Sequence, residues 1–326
     1  MSMRRSDLYM LDSTVIQEIC GFLQCPMDGV KCLGGYNNNV YKVNLDNPMV
    51  VKILDRALIS QEQLISEVEW VLHLSQHNMS VVRPIEVKGT YVNDISNGLC
   101  FLVYEKAKGR HIQSRDSEVW NPQLFRQWGH AMGTLHALAV GFNPKHSRGQ
   151  WHEHEIYHRD LGLLNLTLQE HWKEYHVHMH TLSATDKEFG LIHGDLHQHN
   201  LLLDPQHQLT VLDFGDSEYN WFAYDAAVAI YHAVHSVEAG ESRREFAKRF
   251  TGCFMEGYAQ GKGDTSGMHL VDFFLDFRHL YSYVYHTLFS DIDKLTDQQR
   301  IYLENMRVSL VRDSSFLGSG CKVFLA

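Results

Sequence analysis

Leu191-Ile-His-Gly-Asp-Leu-His-Gln-His-Asn-Leu-Leu-Leu203, followed by Leu209-Thr-Val-Leu-Asp-Phe-Gly-Asp216, decides the fold of this chain. An apolar run ends in His193-Gly194-Asp195, Asn200 stands five residues after that Asp, and a second apolar run ends in Asp213-Phe214-Gly215. The stretch from Leu201 to Leu212 reads as two strands joined by an Asp204-Pro205 turn, a hairpin that brings the second carboxylate beside the Asn. Two carboxylates and an amide on neighbouring strand ends can hold Mg²⁺ and orient a hydroxyl, as phosphoryl transfer requires.

The whole chain sets outer bounds. At 326 residues two lobes are the better prior. The formal net charge is −10, and no basic run exists to neutralise phosphates, so a nucleic-acid partner is not expected. Six cysteines lie scattered without Cys-x-x-Cys spacing, which fits free thiols in a reducing compartment. No apolar stretch reaches the length of a membrane span and the N-terminus carries no apolar signal core. A cytoplasmic protein acting as a monomer or homodimer is expected, with no membrane and no nucleic acid.

Upstream, residues 12–24 have helical apolar spacing, with Asp12 or Ser13 as N-cap. A glycine- and asparagine-rich turn, Gly34-Gly35-Tyr36-Asn37-Asn38-Asn39, precedes an alternating strand at 40–45. That turn reads first as an ordinary hairpin, and such a turn can also lay backbone N–H groups over phosphates. Lys52 interrupts the apolar strand 48–54 and needs an anion, either a carboxylate or a phosphate. A helix over 58–76 carries Glu67 and Glu69, and Glu67 is the expected partner of Lys52. Another apolar strand, 99–105, runs into a composition shift at 103–109 that marks a hinge. An N-terminal lobe of 1–105 is therefore strand-rich with an inserted helix, and the lobe of 106–326 is helix-rich.

In that second part, helices are expected over 122–140, 221–237, 243–260, 268–290 and 297–312. The segment 143–187 is polar and rich in histidine, and the tail from Ser314 is expected to be loosely held. Helix 268–290 is dense in aromatic residues and carries Asp272 and Asp276 four residues apart. It reads as core packing or as the substrate side, where a cation could sit over aromatic rings.

Two motifs imitate catalytic signatures. His154-Glu-Ile-Tyr-His158 matches the zinc-hydrolase spacing but offers no third ligand. His158-Arg159-Asp160 with Asn165 matches the protein-kinase catalytic loop. Thirteen residues after Asn165, however, stands His178 in a charged helical stretch, whereas thirteen after Asn200 stands Asp213. Only the later block has the hairpin that the chemistry needs.

That block, with Val50-Val51-Lys52-Ile53, Glu67, Phe101-Leu-Val-Tyr-Glu105 and Leu135-His-Ala-Leu138, resembles the aminoglycoside phosphotransferase/choline kinase family over roughly residues 30–290. The resemblance implies an α+β, bilobal protein-kinase-like fold, with a small antiparallel-sheet N-lobe and a larger helical C-lobe. It implies ATP and Mg²⁺ as cofactors. By the same resemblance Asp195 orients or deprotonates the substrate hydroxyl, and Asn200 and Asp213 hold the metal, with Asp216 a weaker candidate. Lys52, positioned by Glu67, contacts the phosphates, Gly35 and Asn38 belong to the phosphate loop, and backbone at Glu105 and Ala107 receives the adenine. His193 and Asp225 support the catalytic loop, although Asp225 reads equally as an N-terminal helix carboxylate.

The expected function is transfer of the ATP γ-phosphoryl group to a hydroxyl of a small polar molecule that can carry an amine. A kinase-fold binding or structural protein without turnover is the alternative. A protein kinase is disfavoured, because no Ala-Pro-Glu motif or long activation segment follows Asp213.

Overall fold

Period-two alternation along one strand sorts the core of the first half of this chain, seen in a computed structural model that describes residues 13–35, 38–237, 240–312, 315–318 and 320–324. Strand β6 (Leu99–Glu105) sends Leu99, Phe101 and Val103 to one face and Cys100 and Leu102 to the other. The first face packs against Val15, Ile19 and Cys20 of helix α1 (Ser13–Leu23), the second against Leu64 and Val68 of α2 (Gln61–Gln76). Strand β3 (Met49–Asp55) alternates in the same sense, with Val51 and Ile53 on the α1 side. Lys52 consequently points to the α2 side, where Glu67 stands. Asp12, an N-cap candidate, and Tyr36 and Asn37 of the turn lie outside the described residues.

The sheet around these strands is antiparallel, in the order β1 (Val30–Gly34), β2 (Val40–Val43), β3, β6, β4 (Pro84–Ile85), with β5 (Asn93–Ile95) also paired to β6. The β1–β2 turn uses the left-handed backbone that its residue types favour, at Gly34, Gly35 and Asn38 (φ 109°, 89° and 53°). Helix α2 begins later than its apolar spacing alone suggests. Ser60 forms a capping box with Gln63 there, each side chain accepting the other's backbone N–H.

Two compact units account for the chain, one of Met1–Arg110, Asn143–Arg148 and Leu202–Gly215, the other of His111–Phe142, Gly149–Leu201 and Asp216–Ala326. In the first, the expected hairpin is present: β9 (Leu201–Leu203) and β10 (Leu209–Val211) flank a turn in which the Asp204 carboxylate accepts the N–H groups of Gln206 and Gln208. Between β6 and β9 come β7 (Arg110–His111) and β8 (Phe189–Leu191).

The second unit is helical. Its tightest contact joins α3 (Pro122–Ala139) to α6 (Glu241–Lys262) through glycines spaced four apart on both helices. A Cβ at Gly129 would stand 1.9 Å from the Phe254 carbonyl oxygen, and one at Gly257 would stand 1.9 Å from that of Arg126. Any side chain there would drive the helices apart. Helix α5 (Phe222–His235) is buried on almost every side, as a helix apolar all round must be, and packs against α7 (Val271–Phe289). Strand β11 (Tyr219–Trp221) pairs antiparallel with β8, setting Tyr219 opposite Leu191 at the entrance to the His-Gly-Asp turn.

Three expectations meet specific outcomes here. Asn165 of the imitation kinase loop is the N-cap of α4 (Leu166–Met179), accepting the N–H of Leu168, and Asp160 closes a local turn to Gly162. His154 caps a 3₁₀ turn (Glu155–His158), so it does not share an α-helical face with His158. The described residues of the tail, expected to be loosely held, are docked. Phe316, Leu317 and Val323 are buried, and helix α8 (Asp297–Arg312) precedes them. Among the described residues no helix is long and apolar enough to cross a membrane.

Candidate active site

The residues singled out by sequence fall into two groups, one in each unit. In the first unit Lys52, Glu67 and Asp213 converge on Gly215. A Cβ at Gly215 would meet Lys52 Nζ at 3.2 Å, Asp213 Oδ1 at 3.4 Å and Glu67 Oε2 at 3.9 Å, so the glycine of Asp-Phe-Gly leaves room for three charged groups. Lys52 Nζ lies 2.6 Å from Asp213 Oδ1. Glu67 is 3% exposed and accepts a hydrogen bond from Tyr104 OH at 3.1 Å. Burial, and then the Glu67 carboxylate, push the Tyr104 phenol well above its ordinary pKa, so it stays a donor to Glu67. Asp213 is held with φ 57°, left-handed backbone that costs a side-chain-bearing residue energy, and its carboxylate is half-exposed.

Arg148 was not found by sequence reading. It is 6% exposed, and its guanidinium donates to the carbonyl oxygens of Gln63 (2.8 Å), Phe214 (3.2 Å) and Gly215. One cation thereby ties the Asp-Phe-Gly backbone to α2, the helix that carries Glu67. The same short segment grips α2 again at Glu69, whose carboxylate accepts the backbone N–H groups of Lys145 and His146 and faces His146 Nδ1 at 2.9 Å. Glu105 donates its N–H to the Arg83 carbonyl, and the Ala107 carbonyl accepts from Lys106 Nζ.

In the second unit Asp195 sits at the end of the His-Gly-Asp turn. Gly194 takes φ 84°, and a Cβ on it would lie 2.2 Å from the Asp216 carbonyl oxygen. The turn is fixed by Asp225, which is fully buried near the start of α5. Its carboxylate accepts the N–H groups of His193 and Gly194 and the Nε2–H of His136, each at 3.0 Å. Burial keeps His136 neutral by lowering its pKa, and its Nδ1 accepts from Tyr258 OH at 2.9 Å. Burial alone would raise the Asp225 pKa, but the hydrogen bonds from His136 and from the His193 backbone outweigh it and hold the carboxyl below its usual range.

Asp195 is likewise kept ionised. Burial opposes this, yet the hydrogen bond from His197 and the Arg278 guanidinium bring its pKa down to about 2. His197 Nε2 lies 3.2 Å from Oδ2, while Arg278 Nη2 and His232 Nε2 lie 3.6 and 3.8 Å from Oδ1. Asn200 donates from Nδ2 to the Asp195 carbonyl at 2.9 Å, which leaves its amide oxygen as the atom able to meet a cation. The carboxylate of Asp213 in the first unit, and separately the Asp216 carboxylate and Asn200 amide in the second, offer hard oxygen, the donor type that suits Mg²⁺ or Ca²⁺. His232 and Arg278 carried no readable sequence signal, since their meeting with Asp195 depends on how α5 and α7 pack, whereas His197 stands two residues after Asp195 in the same motif.

Asp272 and Asp276 stand elsewhere. Asp272 accepts the N–H groups of Val323 (2.8 Å) and Phe324 (3.3 Å), and Asp276 accepts that of Phe316 (2.7 Å). These carboxylates hold the C-terminal segment. Aromatic rings of α7 do face other rings near Asp195: the Arg278 guanidinium lies over Tyr281 at 5.3 Å, and Tyr281 meets Trp172 at 6.2 Å.

Known proteins that this chain resembles include several kinases. The chain is 29% identical over 298 residues to amicoumacin kinase of Bacillus subtilis (strain 168), covering 86% of each chain. Its structure resembles that of an amicoumacin kinase solved in complex with AMP-PNP, Ca²⁺ and Ami, with a TM-score of 0.83, 25% identity and 92% and 93% of the two chains covered. It also shares its fold with a microcompartment-associated aminopropanol kinase (TM-score 0.75, 16% identity, 96% and 100% covered) and with the choline kinase LicA from Streptococcus pneumoniae (0.65, 16%, 91% and 97%). Residues 29–263 match the model of the phosphotransferase enzyme family, APH, and the chain, a protein-kinase-like α+β protein, belongs to that family.

Proposed function

We propose that this protein transfers the γ-phosphoryl group of ATP to a hydroxyl of a small polar molecule. The observation that carries the reading is Asp195, an ionised carboxylate held on a turn that Asp225 fixes through three hydrogen bonds. Asp195 accepts the hydrogen bond of the substrate hydroxyl, aligns its oxygen and takes its proton as the new bond forms. An ordinary or lowered carboxylate pKa suffices, because most of the acceleration comes from alignment and from charge stabilisation. Lys52 neutralises nucleotide phosphate charge, with Glu67 and Tyr104 keeping it in place. Gly35 and Asn38 offer backbone to the phosphates, and backbone at Glu105 and Ala107 takes the adenine. Asn200 and Asp213 supply oxygen ligands to a divalent cation, for which Mg²⁺ is the natural choice with ATP. When bound, that cation offsets phosphate charge. The support is the oxygen donor that each of these side chains carries, together with a related kinase whose complex contains AMP-PNP and Ca²⁺. Relatives named for aminopropanol and choline suggest acceptors that carry an amine as well as a hydroxyl.

The test is nucleotide consumption across a panel of small hydroxyl compounds, with wild type and Asp195→Ala compared on each hit. Loss of turnover by about 10³-fold or more in the variant is expected, with nucleotide binding retained. Unchanged phosphorylation by Asp195→Ala would remove the proposed mechanism.

A further inference from the structure

The acceptor side carries a buried arginine that the proposed chemistry does not need. Arg278 projects from α7 and donates from Nη1 to Tyr224 OH at 3.2 Å, while its Nη2 lies 3.2 Å from His232 Nε2 and 3.6 Å from Asp195 Oδ1. A guanidinium has five N–H donors in a flat fork. The Nε of Arg278 is buried and has no hydrogen-bond partner among the described residues. His232 cannot share the positive charge. Burial first, and then the adjacent Arg278, hold its pKa well below the ordinary value, so it is a neutral ring. A permanent cation with an unused donor therefore stands within a few ångströms of the carboxylate that receives the hydroxyl.

Two carboxylates that could have received a substrate ammonium are committed elsewhere, and a third, Glu218, accepts the Nδ2–H of Asn220 at 2.7 Å. Asp272 and Asp276, on the same helix as Arg278, accept backbone N–H groups from the C-terminal segment. Asp195 itself is the hydroxyl's partner. An ammonium one or two bonds from that hydroxyl would meet Arg278, whereas a carboxylate or carbonyl oxygen in the same place would complete the donor fork.

Building on the phosphotransferase reading, we propose that Arg278 selects acceptors whose reactive hydroxyl is flanked by a carboxylate or carbonyl oxygen, as in a 2-hydroxy acid or a 2-hydroxy amide. An amine, where the substrate carries one, lies farther from the reacting oxygen. Arg278 is in this view a specificity residue that contacts the substrate directly.

Three probes on one carbon skeleton test this: lactate, lactamide and 1-aminopropan-2-ol. Binding of each to the full chain with AMP-PNP and Mg²⁺ is measured by ligand-observed NMR, a readout that does not require turnover. Wild type should bind the acid or the amide at least about tenfold more tightly than the amino alcohol. Tighter lactate identifies a carboxylate as the natural group, and tighter lactamide an amide carbonyl. Arg278→Met should cost the preferred probe about tenfold or more and strengthen the amino alcohol severalfold, reversing the order. Arg278→Lys, which keeps the charge but not the fork, should retain the order at reduced contrast, and it serves if the Met variant does not fold. Equal or tighter binding of the amino alcohol by wild type overturns the proposal. So does failure of both lactate and lactamide to bind at roughly 10 mM, or an Arg278→Met variant that weakens all three probes alike. The parent reading fails by a different result, namely no AMP-PNP binding and no ATP consumption with any hydroxyl compound.

Discussion

Replacing Asp225 with asparagine changes one atom type in a fully buried site, and the consequences can be worked out from its three partners. The carboxylate accepts from two backbone N–H groups and one imidazole N–H, all at 3.0 Å. An asparagine can still accept with its oxygen, but its NH₂ then faces another donor. One bond is lost outright and the others lose the assistance of the charge. Hydrogen bonds to a charged group contribute about 1.5–3 kcal/mol each, and breaking one side of a buried ionic network costs about 3–5 kcal/mol. Asp225→Asn should therefore lower stability by about 4 kcal/mol, a drop in Tm on the order of 10 °C, without abolishing folding. The freed turn carries Asp195, so kcat should also fall by about 10²-fold, as expected for a reacting group displaced by about 1 Å. The pH dependence separates this from a general packing defect. Asp225 has a depressed folded pKa, so its stabilisation is complete above the ordinary Asp pKa of about 4 and is lost as pH falls through the folded value. The stability gap between wild type and variant should be constant above about pH 5 and close in more acidic solution. Melts by circular dichroism from pH 3 to 8, with steady-state kinetics at neutral pH, check both parts. A variant within about 2 °C and threefold of wild type would show that the three bonds do not hold the turn.

Two other outcomes are expected. Arg148→Met removes the donor shared by the Gln63, Phe214 and Gly215 carbonyls. Stability should drop by about 3 kcal/mol and kcat by about 10-fold or more, and unchanged melting and kinetics would show that the segment 143–148 does not brace Asp-Phe-Gly. Acid should destabilise the second unit well above the carboxylate range. Burial is the main cause that lowers His235 to about 4 and His279 to about 3, so both stay neutral in the fold while the unfolded chain takes up protons below about pH 6.5. Each then subtracts about 1.4 kcal/mol per pH unit as pH falls. Asp276, raised mainly by burial to about 6, acts in the opposite sense between about pH 6 and 4, but it offsets only one of these histidines, and buried His136 and His232, lowered in the same way, add to the loss. A Tm that stays flat or rises between pH 7 and 5 would contradict this.

The reading of the catalytic block rested on spacing that has direct physical meaning. Thirteen residues from Asn200 to Asp213 span one hairpin, and β9 and β10 form where alternation and the Asp204-Pro205 turn put them. Lys52 announced its need for an anion because an ammonium is a poor choice within an apolar strand, and the side it faces follows from period two. The tie between α3 and α6 had a signal that apolar-face counting passes over: the four-residue spacing of Gly129 with Gly133, and of Gly257 with Gly261. Asp272 and Asp276 were placed on the right helix and shared a face, but spacing cannot say what that face meets. It meets the tail, which compositional reading had expected to be loosely held.

By itself, then, the sequence determined the elements and pointed to the chemistry proposed for one continuous stretch, because hydrogen bonding and side-chain alternation within a strand, turn or helix are local. It favoured His193-Gly194-Asp195 and Asp213-Phe214-Gly215 over the look-alike at His158-Arg159-Asp160 for that reason. Only tertiary structure decided what stands around Asp195 and behind Asp213. Arg278 and His232 come from α7 and α5, Asp225 reaches back from the start of α5, and Arg148 arrives from a short segment with no regular structure. Their positions follow from which faces of buried helices pack together, and that is settled by the summed burial of many distant side chains, which no local pattern encodes.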